Sequence, residues 1–245
     1  MIDKYLIVCT FRSGSTILAT LMQEATQLED LGEYVFNGAS NDLSLMKYTG
    51  SPHSKDLLNY ERTRRERFQY LMNRGNWIVR NPVVPGGTNK ELIDLCANRV
   101  DTQLIFLYRR NIFNQYLSGL NTTYRSRLNR APENRFYNNK AYRKFDTIDL
   151  PGDDLKQLAF ATLQRIDTWR LLYEQYKTRC KLVCYEDHIE TLKLDHVGIT
   201  KEVIDRYYDK DQHLIKTPYI CTNFKHDNIQ NYVDFFESYK YITDL

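Results

Sequence analysis

Short apolar runs at Tyr5–Cys9, Trp77–Arg80, Gln103–Tyr108 and Lys181–Cys184 alternate with longer segments whose apolar residues recur every three or four positions. The runs have the length and β-branched or aromatic content of buried strands, and the longer segments have the period of helices. Predicted helices cover Ser15–Leu28, Lys55–Arg74, Asn89–Asn98, Asn111–Arg130, Asp153–Thr178, Lys201–Tyr208 and Asn228–Tyr239. The clearest stripe runs through Leu155, Leu158, Ala159, Thr162, Leu163, Ile166, Trp169, Arg170 and Tyr173, and reads as core. This alternation predicts an α/β fold of three layers, a central parallel sheet flanked by helices. No internal repeat or Pro/Gly/Ser-rich linker divides the chain, so residues 1–245 are expected to form a single domain.

In such sheets ligands bind beyond the carboxyl ends of the strands. Four polar clusters follow the four runs: Thr10–Thr16, Arg80-Asn-Pro-Val-Val-Pro85, Arg109–Ser118 and Tyr185-Glu-Asp187. The first suits an anion. Backbone N–H groups at the opening of a helix, the helix dipole, the Ser13, Ser15 and Thr16 hydroxyls and the Arg12 guanidinium fit phosphate or sulfate, with Gly14 allowing close approach. It is not a Walker A box, because it has one glycine and no lysine lies between Lys4 and Lys47. Ordinary ATP or GTP hydrolysis is disfavoured.

Composition narrows the classes further. The chain is 27% charged and 42% hydrophobic, and no apolar run approaches a membrane span. The N-terminal Met1-Ile-Asp-Lys-Tyr5 enters the first strand without a leader pattern, which predicts a cytoplasmic protein. Cys9, Cys96, Cys180, Cys184 and Cys221 form no C-x-x-C pair or His-rich cluster, so they read as reduced thiols, and no metal is required. Cys9 reads as a buried strand residue and not a nucleophile: a phosphatase-type loop needs arginine where Ser15 stands. A net charge of +3 is too mild to imply nucleic acid.

The loop Thr10-Phe-Arg-Ser-Gly-Ser-Thr16 resembles the 5′-phosphosulfate-binding loop of sulfotransferases that use PAPS, above all the carbohydrate, tyrosyl-protein and bacterial types. A second element supports the resemblance. Gln103–Tyr108 ends in Arg109 and Arg110, and Ser118 follows Arg110 by eight residues, on nearly the same side of the intervening helix. This matches the family's 3′-phosphate element, so the resemblance implies that Arg110 and Ser118 grip the 3′-phosphate while Arg12, Ser13, Gly14, Ser15 and Thr16 bind the donor's other end. Lys181-Leu-Val-Cys-Tyr-Glu-Asp187 and Asn228-Ile-Gln-Asn-Tyr-Val233 resemble structural elements of the family, extending the match over most of the chain. The implied fold is the P-loop nucleotide-hydrolase-like sulfotransferase type.

Sulfuryl transfer needs donor and acceptor in line, cations on the moving charge, and one base. Arg12 is the candidate for charge stabilisation. Glu33, in Leu31-Gly-Glu-Tyr34, is the candidate base, with Glu29 and Asp30 as rivals, because a similar Gly-Glu carries the base in tyrosyl-protein and some bacterial sulfotransferases. Many cytosolic members instead place a histidine after the second strand, where this chain reads Arg80-Asn-Pro82; that favours a carboxylate, with Arg80 adding positive charge. His53, His188, His196, His213 and His226 read as surface residues, although His53 is placed to enter the cleft from a lid.

The basic, aromatic stretch Asn121–Phe145 is a candidate flap over the cleft or, equally, a solvated insertion. The arginines Arg62, Arg64, Arg65 and Arg67 read as an exposed helix face. The expected substrates are PAPS, released as PAP, and an acceptor hydroxyl on a carbohydrate, lipid or peptide tyrosine. Two alternatives remain: a noncatalytic sulfonucleotide-binding protein and, on a related fold, a small-molecule kinase, for which a Walker lysine and magnesium ligands are missing.

Overall fold

The structure is a computed structural model that describes residues 2–33, 66, 68–84, 90–129, 148–149, 152–210, 224–225 and 236. In chain order these form β1 (Lys4–Cys9), α1 (Ser15–Thr26), β2 (Glu29–Asp30), β3 (Trp77–Pro82), α2 (Lys90–Ala97), β4 (Thr102–Tyr108), α3 (Ile112–Asn129), β5 (Ile148–Asp149), α4 (Gly152–Tyr176), β6 (Cys180–Cys184), α5 (Lys201–Lys210) and β7 (Phe224–Lys225). Residues 68–74 are also helical.

Five strands make one sheet in the order β2-β3-β1-β4-β6, and all its pairings are parallel. β5 and β7 form a separate two-residue parallel ladder. Side chains alternate between faces at period two, and both faces are covered. Leu6 and Val8 of β1, Trp77 and Val79 of β3, and Leu104, Phe106 and Tyr108 of β4 join one core with residues from α2, α3 and α4. Ile7 and Cys9, Ile78, and Ile105 and Leu107 join the other core with α1, α5 and the segment after β6. The near-continuous apolar strands follow from that double burial, and the architecture is the expected three-layer α/β arrangement.

The four predicted runs are the four main strands, each extended by one or two residues. Glu29 and Asp30 carry no strand signal, yet they form the two-residue β2 because Leu31 N–H donates to the Ile78 carbonyl and Arg80 N–H to the Gly32 carbonyl, both at 2.9 Å. Most positions of the helices expected at Asn228–Tyr239 and Lys55–Arg74 lie outside the described residues, among which Phe236 is helical. Among the described residues, no helix is long and apolar enough to cross a membrane.

β1 sits at the centre, with β3 on one side and β4 on the other. The chain therefore departs in opposite directions around the end of β1, and the crevice there is the topological switch point where such folds place ligands.

Candidate functional site

The loop after β1 holds itself by polar contacts before any ligand arrives. Ser13 is fully buried, and its hydroxyl donates to the Thr10 carbonyl at 2.7 Å. The Gln115 amide, from α3, donates to Thr10 Oγ1 at 2.6 Å and to the Phe11 carbonyl. Val83 N–H donates to the Cys9 carbonyl at 2.7 Å, tying the loop's entry to the end of β3. The Ser13 hydroxyl thus shapes the turn.

Arg12 has φ 63° and Gly14 has φ 90°, whereas Ser13 between them keeps the ordinary sign. Alternation of this kind turns successive N–H groups toward one concavity. The left-handed conformation costs a non-glycine residue about 1–2 kcal/mol, so Arg12 carries local strain at the mouth of the crevice. α1 then begins with Gly14 as its N-cap, with no side-chain cap and no acid in its first turn. Its N-terminal N–H groups and positive dipole end face the crevice without a built-in anion.

Gly14 has a further reason to be glycine. A Cβ there would lie 2.5 and 2.7 Å from two ring carbons of Tyr185, so the close approach is made by the protein's own aromatic ring. Tyr185 begins the π-helical turn Tyr185–Ile189 directly after β6.

That turn also organises the second element. Glu186 accepts the backbone N–H groups of Arg110 at 2.8 Å and Asn111 at 3.0 Å, and lies 3.6 Å from Arg109 Nε. The Arg109 guanidinium lies over the Tyr185 ring, 4.5 Å from its centroid. Asp187 takes Arg110 through both terminal nitrogens, with Nη1 to Oδ1 at 2.9 Å. Each partner responds: Arg110 is pushed above its usual range by Asp187, and the Asp187 carboxyl is held below its usual range by Arg110. The Asn111 side chain accepts the Asn114 N–H at 2.8 Å and caps α3.

Ser118 is reached from the other side. Arg12 Nε donates to Ser118 Oγ at 3.0 Å, joining the loop to α3 across 106 positions of sequence. Of the two residues expected to share one anion, Ser118 therefore meets Arg12 while Arg110 meets Asp187.

Arg80 links the loop to β2. Its Nη1 donates to Thr16 Oγ1 at 2.8 Å, and its Nη2 lies 3.6 Å from Asp30. Asp30 also accepts the Gly32 N–H at 2.8 Å, and Glu29 pairs with Arg74. The two rivals for the base are thus engaged in holding β2. Glu33 follows Gly32 at the carboxyl end of β2, half-buried, and its charge reaches Cys9. Cys9 is an unreactive thiol: burial above all pushes its pKa up to about 12.

Gln115, Glu186 and Asp187 were not singled out as site residues from the sequence. Gln115 had a signal, since it lies three residues before Ser118 and so on the same side of α3. The Tyr-Glu-Asp turn was visible, but nothing in its spacing shows that it clasps the arginines at the end of β4. His188 accepts the Cys184 N–H at 2.8 Å, and its ring centroid is 4.4 Å from that of His196, so both belong to the turn after β6. His53, His213, His226, the Arg62–Arg67 cluster and the side chains of the candidate flap from Asn121 onward lie outside the described residues. No protein-family model matches the chain, and no curated protein matches it.

Proposed function

We propose that this chain is a PAPS-dependent sulfotransferase of the P-loop nucleotide-hydrolase-like type, moving a sulfuryl group to an acceptor hydroxyl and releasing PAP. The observation that carries the reading is the Arg12–Ser118 hydrogen bond, which puts the two motif-bearing elements at one crevice beyond the end of β1. Loop N–H groups from Ser13 to Thr16 and the α1 N-terminus cradle the 5′-phosphosulfate. Arg110 and Ser118 hold the 3′-phosphate, Arg110 using donors that Asp187 leaves open. Arg12 stabilises charge on the oxygen bridging sulfur and phosphorus as that S–O bond breaks. Glu33 takes the proton from the acceptor hydroxyl as the new S–O bond forms. The acceptor class is a carbohydrate, lipid or peptide-tyrosine hydroxyl.

Calorimetric titration with PAP and with ATP tests the reading. Tight PAP binding that collapses in Arg110→Ala and Ser118→Ala, with little ATP binding, is the expected result. Absence of PAP binding overturns it.

A further inference from the structure

Arg165 is a cation that the fold does not explain. It lies on α4 one turn before Trp169, whose indole N–H donates to the Val8 carbonyl at 3.3 Å. Because α4 leads into β6, a strand parallel to β4, it runs antiparallel to the sheet, and the turn carrying Arg165 lies toward the carboxyl edge of the strands. There the guanidinium lies over the ring of Phe11, 4.6 Å from its centroid. Phe11 belongs to the anion-cradling loop.

Among the described residues, Arg165 makes no hydrogen bond and no ion pair, and its Nε is shut off from water. Burial pushes its pKa below the usual guanidinium range. Among the described residues the Nε of Arg80, Arg109 and Arg110 is also buried without an acceptor, but each of those guanidiniums has an acidic neighbour, Asp30, Glu186 and Asp187 in turn, and Arg12 has Ser118. The Arg165 Nε–H is shut off from water against an aromatic face, which returns only part of what water gives, so that donor is missing an acceptor. Apolar packing alone would be met by leucine or methionine at this position. The placement beside a strained, anion-cradling loop indicates what the partner is.

We propose that Arg165 is an anion-binding residue of the crevice, its guanidinium braced on Phe11 and its free N–H edge taking an oxygen of a phosphate or sulfate group on the bound ligand. The inference rests on reading the loop as an oxyanion cradle, and it holds whether or not sulfuryl transfer follows. The group belongs either to the nucleotide donor or to an acidic acceptor, and the chemistry of recognition is the same.

The test uses the full chain, wild type and the R165M and R165K variants, titrated in three arms: PAP, inorganic pyrophosphate, and sulfate added to protein saturated with PAP. The Arg165 Nε–H nuclear magnetic resonance, assigned by its loss in R165K, reports contact directly. A saturable shift of that resonance with PAP or pyrophosphate assigns the group to the donor, and a shift with sulfate alone assigns it to the acceptor. The affinity for the same ligand is expected to fall at least about tenfold in R165M and less in R165K, which keeps the charge but loses the planar fork. No shift in any arm, or affinity within twofold of wild type in both variants, overturns the proposal. If R165M does not fold, the wild-type resonance and R165K decide on the same criteria. Pyrophosphate binding with an Arg165 shift but no PAP binding overturns the sulfotransferase reading and leaves this one standing.

Discussion

Arg110 and Asp187, 77 positions apart, meet side by side at the ends of two adjacent parallel strands, two nitrogens on two carboxylate oxygens. Geometry of this kind fixes the plane of the guanidinium. Both side chains remain partly exposed, at 38% and 45%, so the pair does little for global stability. Its work is to aim Arg110. Asp187→Asn is expected to leave the melting temperature within a degree or two while weakening PAP several-fold, because the neutral amide offers one acceptor where Arg110 had two. The carboxyl is held below its ordinary range, so the pair is fully formed above that range and is lost only as pH falls through the lowered value. PAP affinity of the wild type that already declines on acidification through the ordinary carboxylate range, with Asp187→Asn unchanged in affinity, would show that Asp187 does not position Arg110.

Gly14→Ala should be severe for two separable reasons. The φ of 90° costs any L side chain, and the new Cβ would lie 2.5 Å from the nearest Tyr185 ring carbon. Together these predict a loss of about 2 kcal/mol or more in denaturant unfolding. The double variant Gly14→Ala with Tyr185→Ala should recover the steric share and not the conformational share. Strict additivity of the two single variants would mean that the ring gives way freely and that φ alone dictates glycine.

The sheet was legible because its strands are buried on both faces: Tyr5–Cys9 and Gln103–Tyr108 are apolar at nearly every position, a pattern that needs no tertiary knowledge to read. β2 was not, because two acidic residues became a strand through hydrogen bonds donated by Leu31 and Arg80 and not through any preference of their own. The loop stood out by composition, yet the reason for Gly14 did not, since the ring that crowds it comes from 171 positions further on. Ser13 looked like a ligand-facing hydroxyl and is fully buried on the Thr10 carbonyl. Arg110 and Ser118 were recognisable by spacing, but a spacing carries no information on the acid that holds Arg110 or the arginine that reaches Ser118. Arg165 stands beside the apolar stripe of its helix and outside it, and its charge gains meaning only when Phe11 is placed beneath it.

The turn after β6 carries its own acid sensitivity. Burial lowers the pKa of His196 from 6.5 and outweighs the hydrogen bond to the Leu182 carbonyl, which raises it; the neighbouring His188 and Lys181 charges lower it further, and Asp195 opposes them. The unfolded chain therefore takes up this proton near 6.5 while the folded chain resists until lower pH. Across that window the unfolded state holds more protons, so stability falls as pH drops. His196→Gln should flatten the decline in melting temperature between about pH 7.5 and about pH 5.5, where histidine titration dominates. An unchanged slope would place the acid sensitivity elsewhere.

Glu33 is where binding and turnover should part. It follows Gly32, whose carbonyl accepts the Arg80 N–H, so it stands at the carboxyl edge of the sheet beside the strand neighbouring β1. Glu29 and Asp30, the adjacent acids, are tied to Arg74 and Arg80. Glu33→Gln preserves size and removes the basic oxygen. A general base contributes about 100- to 10,000-fold to rate, so the variant should lose turnover on that scale with sulfated product as the readout, while the Kd for PAP stays within about twofold. Loss of PAP binding along with turnover would assign Glu33 to shaping the donor site. Full turnover in the variant would pass the proton to another group or to solvent.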